Sequence, residues 1–172
     1  AEMERQPQAL RIIEQDYRRG WFSSTASLEF APEGSDQDTD LRVRVVSNIA
    51  HGPRSAEGLT WPPAVAEIGS LVSLEHPVIQ LDGVRVDTHL AWNGGGVADI
   101  RIPAIDQPPI GDAPGLRSSS GIGELSFSPE GPSVGHFDLS SLEVLGEDGS
   151  ALLRLRNLHA EHSTRPWLPG VL

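Results

Sequence analysis

The sequence predicts a mainly β fold: a curved antiparallel meander sheet of about eight strands, open or sandwich-like, with one short helix. Three observations predict it. Apolar and polar residues alternate along several segments, as in strands that bury one face only. The chain of 172 residues contains 18 glycines and 14 prolines, which supply many turns. Its length fits a single β-rich domain, residues 1–172, and without any cysteine the core must form without disulfides.

The alternation is clearest in six segments. In the first, Leu28 and Phe30 alternate with Ser27 and Glu29, so one side of the strand is apolar and the other is polar. We predict a further strand over residues 8–19, where the apolar spacing also allows a helix. The other five alternating segments are residues 41–49, 84–92, 98–102, 124–127 and 153–156.

One segment has helical spacing, and it predicts a helix over Pro62–Leu74. Two prolines open it, and proline suits the first helical turn because the N–H groups there have no partner within the helix. Residues 103–120 contain four prolines and few apolar side chains, so they predict a long Pro/Gly/Ser loop. The apolar residues that recur at helical spacing are Val65, Ile68, Leu71 and Val72.

The formal net charge of −11 excludes some classes of partner. A nucleic-acid-binding surface needs a basic face, and only 13 basic residues, all arginine, oppose 24 acidic ones. The same balance argues against a surface held to anionic lipid by charge alone. No apolar run of about 18 residues is present, so we predict no transmembrane helix in this chain.

Two clusters have metal-ligand character, and neither predicts a metal site. Residues 36–40 alternate carboxylates as a calcium loop does, but position six is Leu41 and position twelve is Ser47, which leaves ligands missing. His159 and His162 follow a strand-like segment, where residues three apart point to opposite faces. We therefore predict a solvated loop, two surface histidines and no cofactor.

Other patterns are weaker. The Gly-x-Gly at residues 121–123 is followed by an alternating strand instead of a helix, so we interpret residues 118–123 as a flexible loop. Trp92 falls on the apolar side of its strand, which favours a place in the core. Four tryptophans together also allow a sugar-stacking platform. They are Trp21, Trp61, Trp92 and Trp167.

Two motifs go beyond generic pattern, one at residues 17–24 and the other at residues 49–53. Together, in this order, they resemble the YdgA-like family of bacterial envelope proteins of unknown function, over the first third of the chain. Each motif also has a structural interpretation, because Gly20 permits a sharp bend before a strand and Pro53 cannot donate to a ladder. We expect structural roles for the ten motif positions. They are Tyr17, Arg19, Gly20, Trp21, Phe22, Ser23, Ser24, His51, Gly52 and Pro53.

The resemblance implies a longer exported protein of the periplasm, anchored to the inner membrane by a helix absent from this chain. We expect contact with the membrane only through that anchor. The chain would then be an N-terminal portion of the exported region. These are expectations from the family, and the residues themselves neither require nor oppose them.

Two functions follow as hypotheses. The first is a non-enzymatic β-sheet scaffold of the cell envelope that binds a partner protein or an apolar or lipid ligand, because an open sheet must cover its apolar face. A homodimer formed through a sheet edge is compatible with it. The alternative is a periplasmic β-sandwich hydrolase or carbohydrate-binding module. Convergence of His51, His89 or His136 with carboxylates in a cleft would favour that alternative.

Overall fold

The computed structural model describes residues 10–32, 41–52, 64–75, 80–111, 113–129 and 131–164, which form one open antiparallel sheet. The predicted mainly β meander is confirmed, but with eleven strands instead of about eight and with no helix among these residues. The strands are β1 (Leu10–Arg19), β2 (Ser23–Pro32), β3 (Arg42–His51), β4 (Ala64–Glu75), β5 (Gln80–Ala91), β6 (Gly96–Ile102), β7 (Ile105–Gln107), β8 (Gly115–Ser118), β9 (Gly121–Phe127), β10 (Ser133–Leu145) and β11 (Ala151–Thr164).

The sheet follows the order of the sequence. β6 and β7 together form one long strand that is interrupted at residues 103–104, and β8 and β9 form another that is interrupted at residues 119–120. These two long strands pair in one continuous register, β6 with β9 and β7 with β8. The second interruption stays bonded to β10, because the backbone N of Ser141 donates to Ser119 Oγ over 3.1 Å. The segment that composition marks as a loop thus contains two short strands, and nine long strands run side by side from β1 to β11.

The predicted helix at Pro62–Leu74 is wrong, because residues 64–75 form β4 in the interior of the sheet. Ala66, Ile68, Val72 and Leu74 alternate with period two and share one face, and β-branched Ile68 and Val72 favour a strand. Gly69 in the middle costs a helix stability. Pairing with β3 on one side and β5 on the other decides the outcome. The strand predicted at residues 8–19 is confirmed as β1.

One face of the sheet carries an unbroken apolar row. Leu28, Val45, Val72 and Val84 lie directly opposite one another on β2 to β5. We call this side the apolar face and these residues, with their continuation, the apolar row. The row spans eight strands, about 34 Å at the usual strand spacing. It continues through Ile102 on β6, Gly121 on β9, Leu139 on β10 and Leu158 on β11.

The opposite face, which we call the polar face, carries ion pairs. Glu29 and Arg44 are opposite one another on it, and Glu29 also contacts Arg42 at 3.4 Å. Arg85 lies 2.8 Å from Asp87 on β5. Alternation therefore separates charge from hydrocarbon, as the sequence predicts for strands with one wet face.

Aromatic rings fill the space beside two glycines in the strands. A Cβ on Gly121 would lie 2.7 Å from Phe137 Cζ, and one on Gly96 would lie 2.7 Å from Phe127 Cζ. The rings lie over these glycines, so the sheet surface is continuous there. The prediction of a flexible loop at residues 118–123 is therefore wrong, because β8 and β9 occupy most of it.

The sheet has little enclosed core in the part of the chain that the structure describes. The buried apolar residues are Ala31, Ala66, Ala98 and Leu145, and no large side chain is fully buried. All strand contacts of substance are between neighbours in the sheet, so no second layer of described residues lies on the apolar face. No helix in these ranges has the length and apolar character to cross a membrane.

Candidate functional site

A hydrogen-bonded cluster of three side chains, here called the Tyr–Ser–His cluster, links β1, β2 and β3. Tyr17 Oη donates to Ser24 Oγ over 3.0 Å, and Ser24 Oγ lies 2.8 Å from His51 Nε2. Because Ser24 accepts from the tyrosine, its own hydroxyl proton is available to Nε2 of a neutral His51 that carries its proton on Nδ1. Ser24 is only 2% exposed, whereas both rings reach the surface. The cluster is a buried hydroxyl between two exposed rings.

A tight turn brings Tyr17 and Ser24 onto adjacent strands. The backbone N of Gly20 donates to the carbonyl oxygen of Ser23 over 2.7 Å. A Cβ on Gly20 would lie 2.7 Å from the same oxygen, so a larger residue would force the turn open. The glycine of the first motif thus sets the register that pairs its tyrosine strand with its serine strand.

The second motif is held against the first by backbone bonds. The N–H of His51 donates to the carbonyl oxygen of Phe22 over 2.8 Å, and the N–H of Gly52 donates to that of Val65 over 3.1 Å. Gly52 has a φ of 101°, a conformation that favours glycine. These contacts place the His51 ring beside Ser24, at the end of β3.

The other motif positions are at the surface or outside the described residues. Arg19 and Ser23 are exposed on the flanks of the turn. Trp21 is 96% exposed and Phe22 is 79% exposed, so neither packs in a core. Pro53 lies outside the described residues.

The tryptophans do not form one platform in the described chain. Trp92 is 67% exposed in the β5–β6 turn, so its predicted place in the core is wrong. It is separated from Trp21 by four strand spacings, about 19 Å, too far for both rings to stack on one sugar. Trp61 and Trp167 lie outside the described residues.

An open groove of about 530 Å³ crosses the polar face. Within it, Glu67 Oε1 lies 3.5 Å from His89 Nδ1, and Asp87 is paired with Arg85. Asp87 thus has an ion-pair partner, whereas Glu67 and His89 carry opposite charges only if the histidine is protonated. Asp99, opposite Asp87, lines the same groove.

The three histidines of the enzyme hypothesis lie apart from one another, and two of them, His89 and His136, each line a groove together with carboxylates. His51 lies on the apolar face, opposite Ala66, whereas His89 lies on the polar face. His136 lines a second, smaller groove of about 260 Å³ with Glu124. Within the described ranges, no three His, Asp or Glu side chains are close enough together to hold a metal ion.

A separate acidic pair surrounds His159 on β11. His159 Nδ1 lies 2.6 Å from Asp138 Oδ1 on β10, and its Nε2 lies 3.3 Å from Glu161 Oε1. The hydrogen bond to Asp138, followed by that to Glu161, raises the pKa of His159 above its ordinary 6.5. His162 is opposite Gly135 on β10. Because His159 and His162 are three residues apart along the strand, the two side chains lie on opposite faces.

We expect replacement of Asp138 by asparagine to lower the pKa of His159 more than Glu161→Gln does, because Asp138 is the larger cause. Since the folded pKa is raised, the contact stabilises the β10–β11 pair fully below pH 6.5 and less as pH rises through the folded pKa. A proton NMR titration of the His159 ring in each variant measures this. A larger fall in Glu161→Gln would contradict the assignment.

Two sets of polar side chains on the apolar face bond internally. Ser47 Oγ and Ser70 Oγ lie 2.8 Å apart on β3 and β4, beside the apolar row. The Tyr–Ser–His cluster likewise satisfies its own members. Beside the apolar row this face therefore presents hydrocarbon and internally paired hydroxyls, and farther from the row it carries Thr88 and His162.

Comparison with known proteins gives a family. A family model described as "Bacterial protein of unknown function (DUF945)" matches residues 2–171. The chain belongs to the DUF945 family. No curated protein and no solved structure matches it. The sequence resemblance to a bacterial family of unknown function rested on the first third, whereas the DUF945 match covers nearly the whole chain.

Sequence reasoning named the members of the Tyr–Ser–His cluster in this DUF945 chain without joining them. Tyr17 and Ser24 are seven residues apart, and His51 follows Ser24 by 27. The available signal was the hairpin length: strands of ten residues around the Gly20 turn bring residues 17 and 24 within reach. The apolar row was predicted strand by strand, but its continuity depends on pairing register.

Proposed function

We propose that the apolar face binds an elongated apolar ligand, an acyl chain of an envelope lipid, and that the protein acts without catalysis. The observation that carries the proposal is the apolar row: about 34 Å of continuous hydrocarbon with no covering layer among the described residues. A sheet with one apolar face must cover it. One leaflet of a bilayer is about 15 Å of hydrocarbon, so the row is long enough for two acyl chains end to end.

The hydrogen bonding of this face favours an acyl chain over a protein partner. A protein interface carries about one hydrogen bond per 100–200 Å². Here the hydroxyls of the serine pair and of the Tyr–Ser–His cluster already bond to one another, so they need no hydrogen bond from a ligand. An acyl chain offers none, and it would cover the apolar row without leaving these hydroxyls unpaired.

We also propose a cellular compartment for the protein. The resemblance to YdgA-like envelope proteins supports the periplasm, with the full-length protein anchored to the inner membrane. Membership of a bacterial family of unknown function is compatible with that assignment. A lipid-binding sheet in the periplasm would shield acyl chains from water between membranes.

Binding of a fluorescent long-chain fatty acid to the purified, delipidated chain tests the proposal. We expect saturable binding, and we expect organic extraction of chain purified without detergent to release lipid detectable by mass spectrometry. Neither binding nor co-purified lipid, from a chain with the circular dichroism of a β-sheet, would overturn it.

A hydrolase is the second candidate, and the 2.8 Å contact between Ser24 and His51 is the observation that favours it. A serine nucleophile needs such a base. Against it, Ser24 is almost fully buried and its Oγ already accepts from Tyr17. We rank it second, and the Ser24→Ala comparison described in the Discussion separates the two roles.

A further inference from the structure

The most exposed aromatic side chains of the described residues lie at one end of the sheet. Trp21 and Phe22 form the tip of the β1–β2 turn, and Trp92 lies in the β5–β6 turn. In an antiparallel meander every second connection is at the same end, so the two turns share one edge. They are about 19 Å apart along it. We call Trp21, Phe22 and Trp92 the aromatic edge.

Charged side chains lie near the connections at both ends. Arg18 and Arg19 precede the first aromatic turn, and Arg18 is paired with Asp16 at 3.1 Å. The other end includes the acidic β10–β11 turn, where the pKa of Asp148 is held low because the Ser150 hydroxyl and backbone N–H donate to it. A ten-residue strand separates the ends by about 33 Å, beyond the Debye length of about 8 Å in physiological salt.

We propose that the aromatic edge inserts into the surface of a lipid bilayer that contains anionic lipids. Tryptophan is favoured at the headgroup level because its ring is apolar and its N–H is a donor. Phe22 would enter the acyl boundary, and Arg19 would meet lipid phosphates. Two contact points about 19 Å apart would orient the strands towards the membrane.

The shape of the edge favours a bilayer over a protein partner. A stable protein interface buries about 800 Å² on each side, with its anchors near the centre of a broad patch. The aromatic residues here project from narrow turns beside Gly20 and Gly94, at the border of a single sheet. Such tips suit shallow insertion into a soft phase.

The inference extends the proposed function without depending on it. Docking at this edge would place the end of the apolar face against the bilayer, where an acyl chain could enter. The net charge of −11 opposes binding by charge alone, so the aromatic side chains carry the attraction and the arginines contribute locally.

Flotation with vesicles of phosphatidylcholine and phosphatidylglycerol tests the inference on the whole chain. We expect wild-type chain to float with the vesicles. The partition coefficient of the variant Trp21→Ala/Phe22→Ala onto the vesicles should fall by about tenfold or more, because two large apolar side chains are lost. Trp92→Ala should lose less. The matched control is Ile110→Ala/Leu152→Ala, since both residues are exposed apolar side chains at the opposite end. It should bind as wild type.

Each outcome decides the inference. Wild-type chain that stays with the solvent, or a control variant that loses as much binding as the tip variant, overturns it. Wild-type protein that floats but neither binds fatty acid nor carries co-purified lipid leaves the docking inference standing and overturns the proposed function. Wild-type protein that binds fatty acid but does not float overturns the docking inference and leaves the proposed function standing. Circular dichroism of each variant confirms folding, which these exposed positions leave intact.

Discussion

Val72→Glu is expected to weaken fatty-acid binding by about tenfold or more. Val72 lies inside the apolar row, opposite Val45 on one side and Val84 on the other. A carboxylate there must either lose its water under an acyl chain or keep the chain away. Burial of an unpaired charge costs several kcal/mol, and each 1.4 kcal/mol is a factor of ten in affinity. Titration with the fluorescent fatty acid measures the change.

The control is the neighbouring residue. Leu71→Glu places the same carboxylate in the same strand on the polar face, where Leu71 is exposed and opposite Arg85. It should bind fatty acid as wild type does. Val72→Thr keeps the shape and the β-branch and should bind several times more weakly with an unchanged melting temperature. Equal loss in both glutamate variants, or loss in neither, would exclude the apolar face as the ligand site.

Ser24→Ala is expected to lower the melting temperature by roughly 4–8 °C. The substitution removes the buried hydroxyl that joins Tyr17 and His51, and two hydrogen bonds of about 1 kcal/mol each amount to about 2 kcal/mol. In a chain of this length, 1 kcal/mol shifts the melting temperature by about 2–4 °C. Differential scanning calorimetry measures the shift.

The adjacent Ser23→Ala supplies the comparison, because Ser23 is exposed on the other face and should change stability by less than about 0.5 kcal/mol. Tyr17→Phe should cost about half as much as Ser24→Ala, since only one of the two bonds is lost. A Ser24→Ala chain that melts as wild type but loses the hydrolysis of a simple ester would reverse the ranking of the two proposed functions.

The two motifs show how far local pattern reaches. Gly20 and Gly52 are recognisable in the sequence as turn residues, and they occupy turns. Their consequence, a serine bonded to a histidine 27 residues away, depends on the pairing of β2 with β3. Residue spacing cannot encode that pairing, because many registers satisfy the same alternation.

The segment at residues 64–75 shows the same limit from the other side. Its apolar residues fit both a helix and a strand, and local preference left the helix as the better match. Two neighbouring strands supplied hydrogen bonds along its whole length, and that non-local pairing outweighed the local spacing.

By itself the sequence determined that this protein is a β-rich meander with an apolar and a polar side to its strands, because period-two alternation is a local property that each strand carries alone. Only the tertiary structure decided that the apolar sides join into one row, that Tyr17, Ser24 and His51 meet, and that Trp21 and Trp92 share an edge. Those facts depend on register and on the order of strands, which arise when distant segments pair.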